Sequence, residues 1–157
     1  MSSLPREDVK LPHGGVFTFK QMPNGEERRR LVTPSGGRMS ETVGPNWKPV
    51  SGELPWQDNH YHCGLTEHYI VRHGWAVFLF IENKEKKWRR LEAGGHIFFE
   101  PMIPHVVLMG PEAVIATVLV GTPIGNPDRN GEDWWPTMGE LNVSLEFGKM
   151  DIEEQFL

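Results

Sequence analysis

Two histidines two residues apart, followed at fixed intervals by an acid and a glycine, constrain this 157-residue chain more than any other feature. In the run His60-Tyr61-His62-Cys63-Gly64-Leu65-Thr66-Glu67, an extended backbone places both imidazoles on one face, because strand side chains alternate with period two. Tyr61 then points away. A short turn containing Gly64 brings the chain back, and a second strand, running through His68-Tyr69-Ile70-Val71-Arg72-His73 to Gly74, carries Glu67 beside the histidines. That arrangement suits a metal ion. A fourth ligand has to come from elsewhere, and the candidate is His105 in Glu100-Pro101-Met102-Ile103-Pro104-His105, which follows the turn signal Gly94-Gly95. Three neutral imidazoles and one carboxylate form a borderline-to-hard site with room for water or substrate.

The spacing His60-x-His62-x4-Glu67-x6-Gly74 resembles the first motif of the cupins, and Gly94 followed by Pro101-Met102-Ile103-Pro104-His105 is similar to the second. Together they cover about residues 55 to 121. The resemblance implies an all-β fold, the cupin double-stranded β-helix or jelly-roll barrel, with a divalent ion in its mouth held by His60, His62, Glu67 and His105. Iron is the first expectation for that ion, with manganese, nickel or zinc as alternatives.

Composition agrees with this fold class. The length fits one domain spanning 1–157, and 17 Gly with 13 Pro announce many turns between short apolar runs, which is the pattern of all-β chains. A net charge of -5 gives no electrostatic reason to expect nucleic acid, which calls for a cationic surface. No stretch approaches the roughly 20 apolar residues needed to span a bilayer, and the first eight residues hold no apolar signal core. A single cysteine, Cys63, excludes an internal disulfide, so the expected setting is the cytoplasm. Asn142-Val143-Ser144 matches a glycosylation acceptor and is read as chance.

Residues 1–14 read as an extended arm, either loose or laid on a neighbouring surface. Gly15 to Lys20 alternates like a strand, Pro23-Asn24-Gly25 signals a turn, and Arg28 to Val32 is the candidate return strand. The run Arg28-Arg29-Arg30 reads first as a solvated face and otherwise as a grip on an anionic ligand or a partner subunit. Residues 33 to 56 are expected to be a long loop, with short extended pieces near Met39 and Val50, that forms part of a pocket rim. Within it Trp47 and Trp56 read first as packed aromatics closing the barrel end, and second as stacking surfaces for a ligand.

Trp75 to Ile81 is apolar at both phases and predicts a strand buried on both faces, paired through a charged turn with Trp88-Arg89-Arg90-Leu91. His96 to Phe99 and His105 to Met109 are two further strands, and Ala113 to Val120 predicts another doubly buried one. Outward faces so apolar call for a second sheet or a second subunit, hence a homodimer is expected. The tail, 122–157, is expected to pack on the barrel, with Leu141 to Phe147 as an outer strand.

Around the quartet, Tyr69 shares the Glu67 phase and lines the cavity with a phenol able to donate a proton, while Val107 and Met109 share the His105 phase as apolar walls. His96 is the candidate proton-transfer group near the metal; His68, His73 and His13 read as structural or exposed. Cys63 faces away from His62 as a small hydrophobe. The catalytic candidates are therefore Glu67, Tyr69 and His96. The expected function is a metal-dependent enzyme that coordinates a small organic substrate, with dioxygenase chemistry placed first. The alternatives are a non-catalytic cupin binding a small sugar-like ligand and an isomerase, lyase or cyclase of the same fold.

Overall fold

The computed structural model describes residues 5–34, 38–48 and 54–137, and its regular structure is almost wholly antiparallel β. Seven strands form one sheet in the spatial order β1 (Val9–Lys10), β2 (Val16–Gln21), β3 (Glu27–Val32), β4 (Arg38–Val43), β11 (Val114–Gly121), β6 (Leu65–His73) and β9 (His96–Phe99). Five form the other: β12 (Trp135–Pro136), β5 (His60–Tyr61), β10 (His105–Met109), β7 (Trp75–Glu82) and β8 (Glu85–Glu92). One 3₁₀ turn, Pro127–Arg129, is the only helical piece among the described residues. No helix there is long and apolar enough to cross a membrane. The predicted strand at Leu141 to Phe147 and the extended piece at Val50 lie outside the described residues.

The two sheets face one another, and their inward positions build the main core from Tyr69, Val71, Ala76, Phe78, Phe80, Phe99, Val107, Met109 and Ile115. Period-two alternation explains the choice on β6, where Leu65, Glu67, Tyr69 and Val71 are buried and the residues between them are not. At Gly74 the backbone turns from β6 into β7 with φ of +71°, a conformation in which a side chain is strained.

β7 is buried on both faces, as its composition predicts, and so is β10. Their outward residues Val77, Leu79, Val106 and Leu108 are covered by the chain's own Trp47, Leu54 and Trp56. Trp47 donates from Nε1 to the Met109 carbonyl at 2.9 Å and fixes that cover. Those strands therefore need no second subunit to bury them, and the homodimer argument drawn from them loses its premise. β11 corrects its expectation: burial alternates along it, and Val120 is 56 % exposed.

The arm lies on its own sheet. Val9 and Lys10 pair with Phe17 and Val16, and the Asp8 carboxylate accepts from the Phe19 amide at 2.9 Å. Arg29 faces outward beneath this arm, 4 % exposed, with Nε donating to the Pro5 carbonyl and its guanidinium over the Phe19 ring. Arg28 and Arg30 point the other way, into the cavity between the sheets. The arginine run is thus not a solvated face.

Candidate metal centre

The four candidate ligands arrive from three places in the fold. His60 on β5 sits directly opposite His105 on β10, so that their rings approach to 4.4 Å between centroids. Glu67 comes from the facing sheet on β6. His62 leaves β5 at the turn into β6, anchored where the Met102 amide donates to the His62 carbonyl. All four side chains are buried, and one ligand atom from each falls within 4.8 Å of the others. Glu67 Oε1 stands 2.8 Å from His105 Nε2, 3.1 Å from His62 Nε2 and 3.5 Å from His60 Nε2.

The far side of each imidazole decides which nitrogen faces inward. Nδ1 of His60 meets the Asp58 carbonyl at 2.9 Å, Nδ1 of His105 meets the Ile103 carbonyl at 2.8 Å, and Nδ1 of His62 meets the Asp133 carbonyl. A carbonyl can only accept, so each Nδ1 carries a proton and Nε2 is the nitrogen that faces the common point, where a neutral ring would offer its lone pair to an ion. Main-chain partners of this kind orient metal-bound histidines. The buried three-His, one-Glu cluster therefore suits a divalent metal in donor type, in spacing and in tautomer.

Electrostatics split the cluster: burial would lower His62, but Glu67 and the Asp133 carbonyl outweigh it and raise its pKa, so that without an ion His62 shares a proton with Glu67. Burial lowers the pKa of His60 to about 4, keeping it neutral. Burial alone would raise Glu67, but hydrogen bonds from His105, His60 and His62 outweigh it and hold the carboxyl well below its usual range. Tyr69 donates its phenolic proton to Glu67 Oε1 at 2.6 Å, and burial together with the Glu67 charge raises its pKa well above the ordinary phenol value. It is a held proton donor.

Sequence reasoning misjudged three positions. His96 lies on the outward face of β9 with Nδ1 3.1 Å from His68 Nε2, because Ile97 and Phe99 take the inward phase. It does not reach the cluster. Val107 and Met109 do point inward but belong to the core beneath, and the apolar walls of the cavity are instead Ile115, Leu119, Trp56 and Trp134. Tyr69 lines the cavity as expected.

Sequence reasoning also missed the segment that follows β11. Asp133 is 2 % exposed and its carboxylate accepts from the amides of Cys63, Gly64 and Ile124 and from Trp135 Nε1 at 2.7 to 3.1 Å. It clamps the turn that presents His62. A Cβ on Gly64 would lie 2.0 Å from the Thr122 carbonyl oxygen, so that turn admits only glycine. Trp134 stacks on His60 and is itself covered by the Arg129 guanidinium, 3.9 Å from its ring centroid. The doublet Trp134-Trp135 in a turn-rich stretch was the one available signal.

The cluster opens onto a cavity of about 870 Å³, ample for a small organic ligand. From the predicted 33–56 loop the cavity takes Leu54, Pro55 and Trp56 together with Arg38, Ser40 and Thr42, the latter three from a stretch, Arg38–Val43, that is strand and not loop.

No protein-family model matches the chain, and no curated protein matches it. Solved structures do. The Drosophila melanogaster CENP-C cupin domain superposes with a TM-score of 0.55 at 10 % identity, over 66 % of this chain and 70 % of that one. Lactobacillus farciminis oxalate decarboxylase, in a formate complex, gives 0.58 at 11 % identity over 87 % of this chain and 37 % of that one. Hydroxypropylphosphonic acid epoxidase from S. wedmorenis, in complex with fosfomycin, gives 0.50 at 17 % over 66 % and 55 %. At these identities the likeness establishes the fold alone, and the fold is that of the cupins.

Proposed function

We propose that the protein is a metal-dependent enzyme whose small organic substrate binds, through its oxygens, at a divalent ion held by His60, His62, Glu67 and His105. The observation behind this reading is the convergence of three Nε2 atoms and one carboxylate within 4.8 Å, each imidazole fixed from behind by a main-chain carbonyl. The ion supplies Lewis acidity or, if it is iron, access to dioxygen. Iron and dioxygenase chemistry are the first reading for a three-His, one-Glu donor set. Ligands of the same fold neighbours include formate and fosfomycin, small oxygen-rich molecules.

The chain's own residues contribute orientation and proton control. The Tyr69 hydroxyl donates to Glu67 Oε1 across 2.6 Å, so a Glu67 that left a bound ion would have a proton donor beside it. Ile115, Leu119 and Trp134 limit water on one side of the cavity.

The test is elemental analysis of protein purified without added metal, beside His60→Ala and His105→Ala variants, followed by oxygen-uptake assays on the loaded protein. Near-stoichiometric metal that is lost in both variants is expected; equal occupancy in all three proteins would sink the assignment. A second reading, a non-catalytic module for a sugar-like ligand, draws on Trp56 lining the cavity, since flat aromatic faces stack on sugar rings. Tight ligand binding with no oxygen uptake and no product would select it.

A further inference from the structure

The inner face of the seven-stranded sheet divides into two chemically different halves. On β6 and β11 it presents Tyr69, Val71 and Ile115, all core. On β2, β3 and β4 it is polar: Arg28 stands opposite Lys20 and Thr42, and Arg30 opposite Thr18 and Ser40, and all six line the cavity that reaches His60, His62 and Glu67. Alternation along β3 forces Arg28 and Arg30 onto this one face and Arg29 onto the other.

The three arginines differ in how they are partnered. Arg29, in the outward position, has a carbonyl, an aromatic face and Glu27. Arg28 approaches Glu26 no closer than 3.6 Å and gives a long 3.4 Å bond from Nε to Thr42. Arg30 has Glu132 at 3.8 Å, beyond hydrogen-bond reach. Their side chains are only 23 % and 29 % exposed. Neither has a buried nitrogen left without a partner, whereas Arg29 Nη1 beneath the arm is one; the Arg28 and Arg30 donors instead face the open cavity, where the planar fork of a guanidinium matches an oxyanion.

We propose that the cavity takes a small substrate carrying a carboxylate or another oxyanion, seated by Arg28 and Arg30 while its far end reaches the His60, His62, Glu67 and His105 cluster. This rests on the metal reading above for that far end alone. The two arginines then set specificity: they select anionic substrates over neutral ones of the same shape and fix which end faces the ion. Burial lowers the pKa of Arg30 and the Glu67 and Glu132 charges act against that, which agrees with a cation lying within the field of the cluster and not fully compensated by it.

The experiment is calorimetric titration of manganese-loaded and metal-free protein with malonate, inorganic phosphate and uncharged malonamide. The variants are Arg28→Gln, Arg30→Gln and Arg30→Lys, with exposed Arg89→Gln as a charge control. Malonate or phosphate is expected to bind roughly tenfold or more weakly to each glutamine variant than to the unaltered protein, with Arg30→Lys between them and Arg89→Gln unchanged. Malonamide should show no such dependence. Stronger binding of malonate marks a carboxylate substrate, and stronger binding of phosphate marks a phosphate or phosphonate. Equal anion affinity in all variants, or an equal loss for malonamide, would overturn the proposal. Arg30→Lys keeps the test valid should a glutamine variant not fold. If the protein takes up none of iron, manganese, nickel and zinc, the metal reading fails, whereas the arginine dependence of malonate binding to metal-free protein still decides this one.

Discussion

Trp134 lies almost flat on His60, with ring centroids 5.3 Å apart and planes 13° from parallel. The indole backs the imidazole on one side while the Asp58 carbonyl fixes its Nδ1. Trp134→Ala should therefore leave the fold intact and free the ring to tilt. Metal affinity is expected to fall by about tenfold, the usual size of an outer-shell effect, as measured by competition with a chelator. Unchanged affinity would mean that the carbonyl alone aims the ring.

Tyr69→Phe removes the 2.6 Å donor to Glu67 and little volume. Metal content is expected to persist while turnover falls by roughly 10- to 100-fold. A variant as active as the original would reduce Tyr69 to packing, which its contact with Phe78 also supports.

Asp133→Asn replaces an acceptor of three amides and an indole N–H with a group that can accept at only one of its two ends. A loss of about 2–4 kcal/mol in urea unfolding is expected. Burial raises the Asp133 pKa, but the amides of Cys63, Ile124 and Gly64 lower it by more. A carboxyl depressed in the folded state stabilises above its unfolded value and loses that contribution as pH falls through its folded value. The gap between original and variant should accordingly narrow on acidification below the ordinary carboxylate range, and a gap constant with pH would refute the role.

Glu26 behaves in the opposite sense. It is fully buried, and burial raises its pKa despite Asn24, Arg28 and Gln57. A raised carboxyl contributes stability that is complete below the unfolded value and is lost as pH rises through the folded one. Glu26→Gln should match the original protein in acid and exceed its unfolding midpoint at neutral pH and above. A variant less stable at every pH would show that pairing with Arg28 outweighs the cost of burial.

His60, His62 and Glu67 were legible from strand periodicity because they sit within eight residues, whereas the barrel came from the resemblance of their spacing, and of the run ending in His105, to the cupin motifs. What surrounds the four residues was not legible. Asp133 and Trp134 reach the site through a connection with no period, and nothing in their spacing from His62 marks the contact. Arg28 and Arg30 were visible as charges, but which phase of β3 faces inward is set by pairing with β2 and β4. His96 failed for the same reason, one residue out of phase with Ile97 and Phe99. The apolar outward residues of β7 and β10 suggested a partner because a covering loop, unlike a sheet, leaves no pattern in the strands it covers.

The stretch that seals those strands runs directly into the site: Trp56 lies on the sealed face, the Gln57 amide is pinned to the Val107 carbonyl at 3.0 Å, and Asp58 holds the His60 ring. Wrapper and ligand are one mechanical linkage. If an ion is bound, loosening Trp56 and Gln57 on warming is expected to release it below the unfolding midpoint, which a metal-sensitive dye followed beside circular dichroism would show.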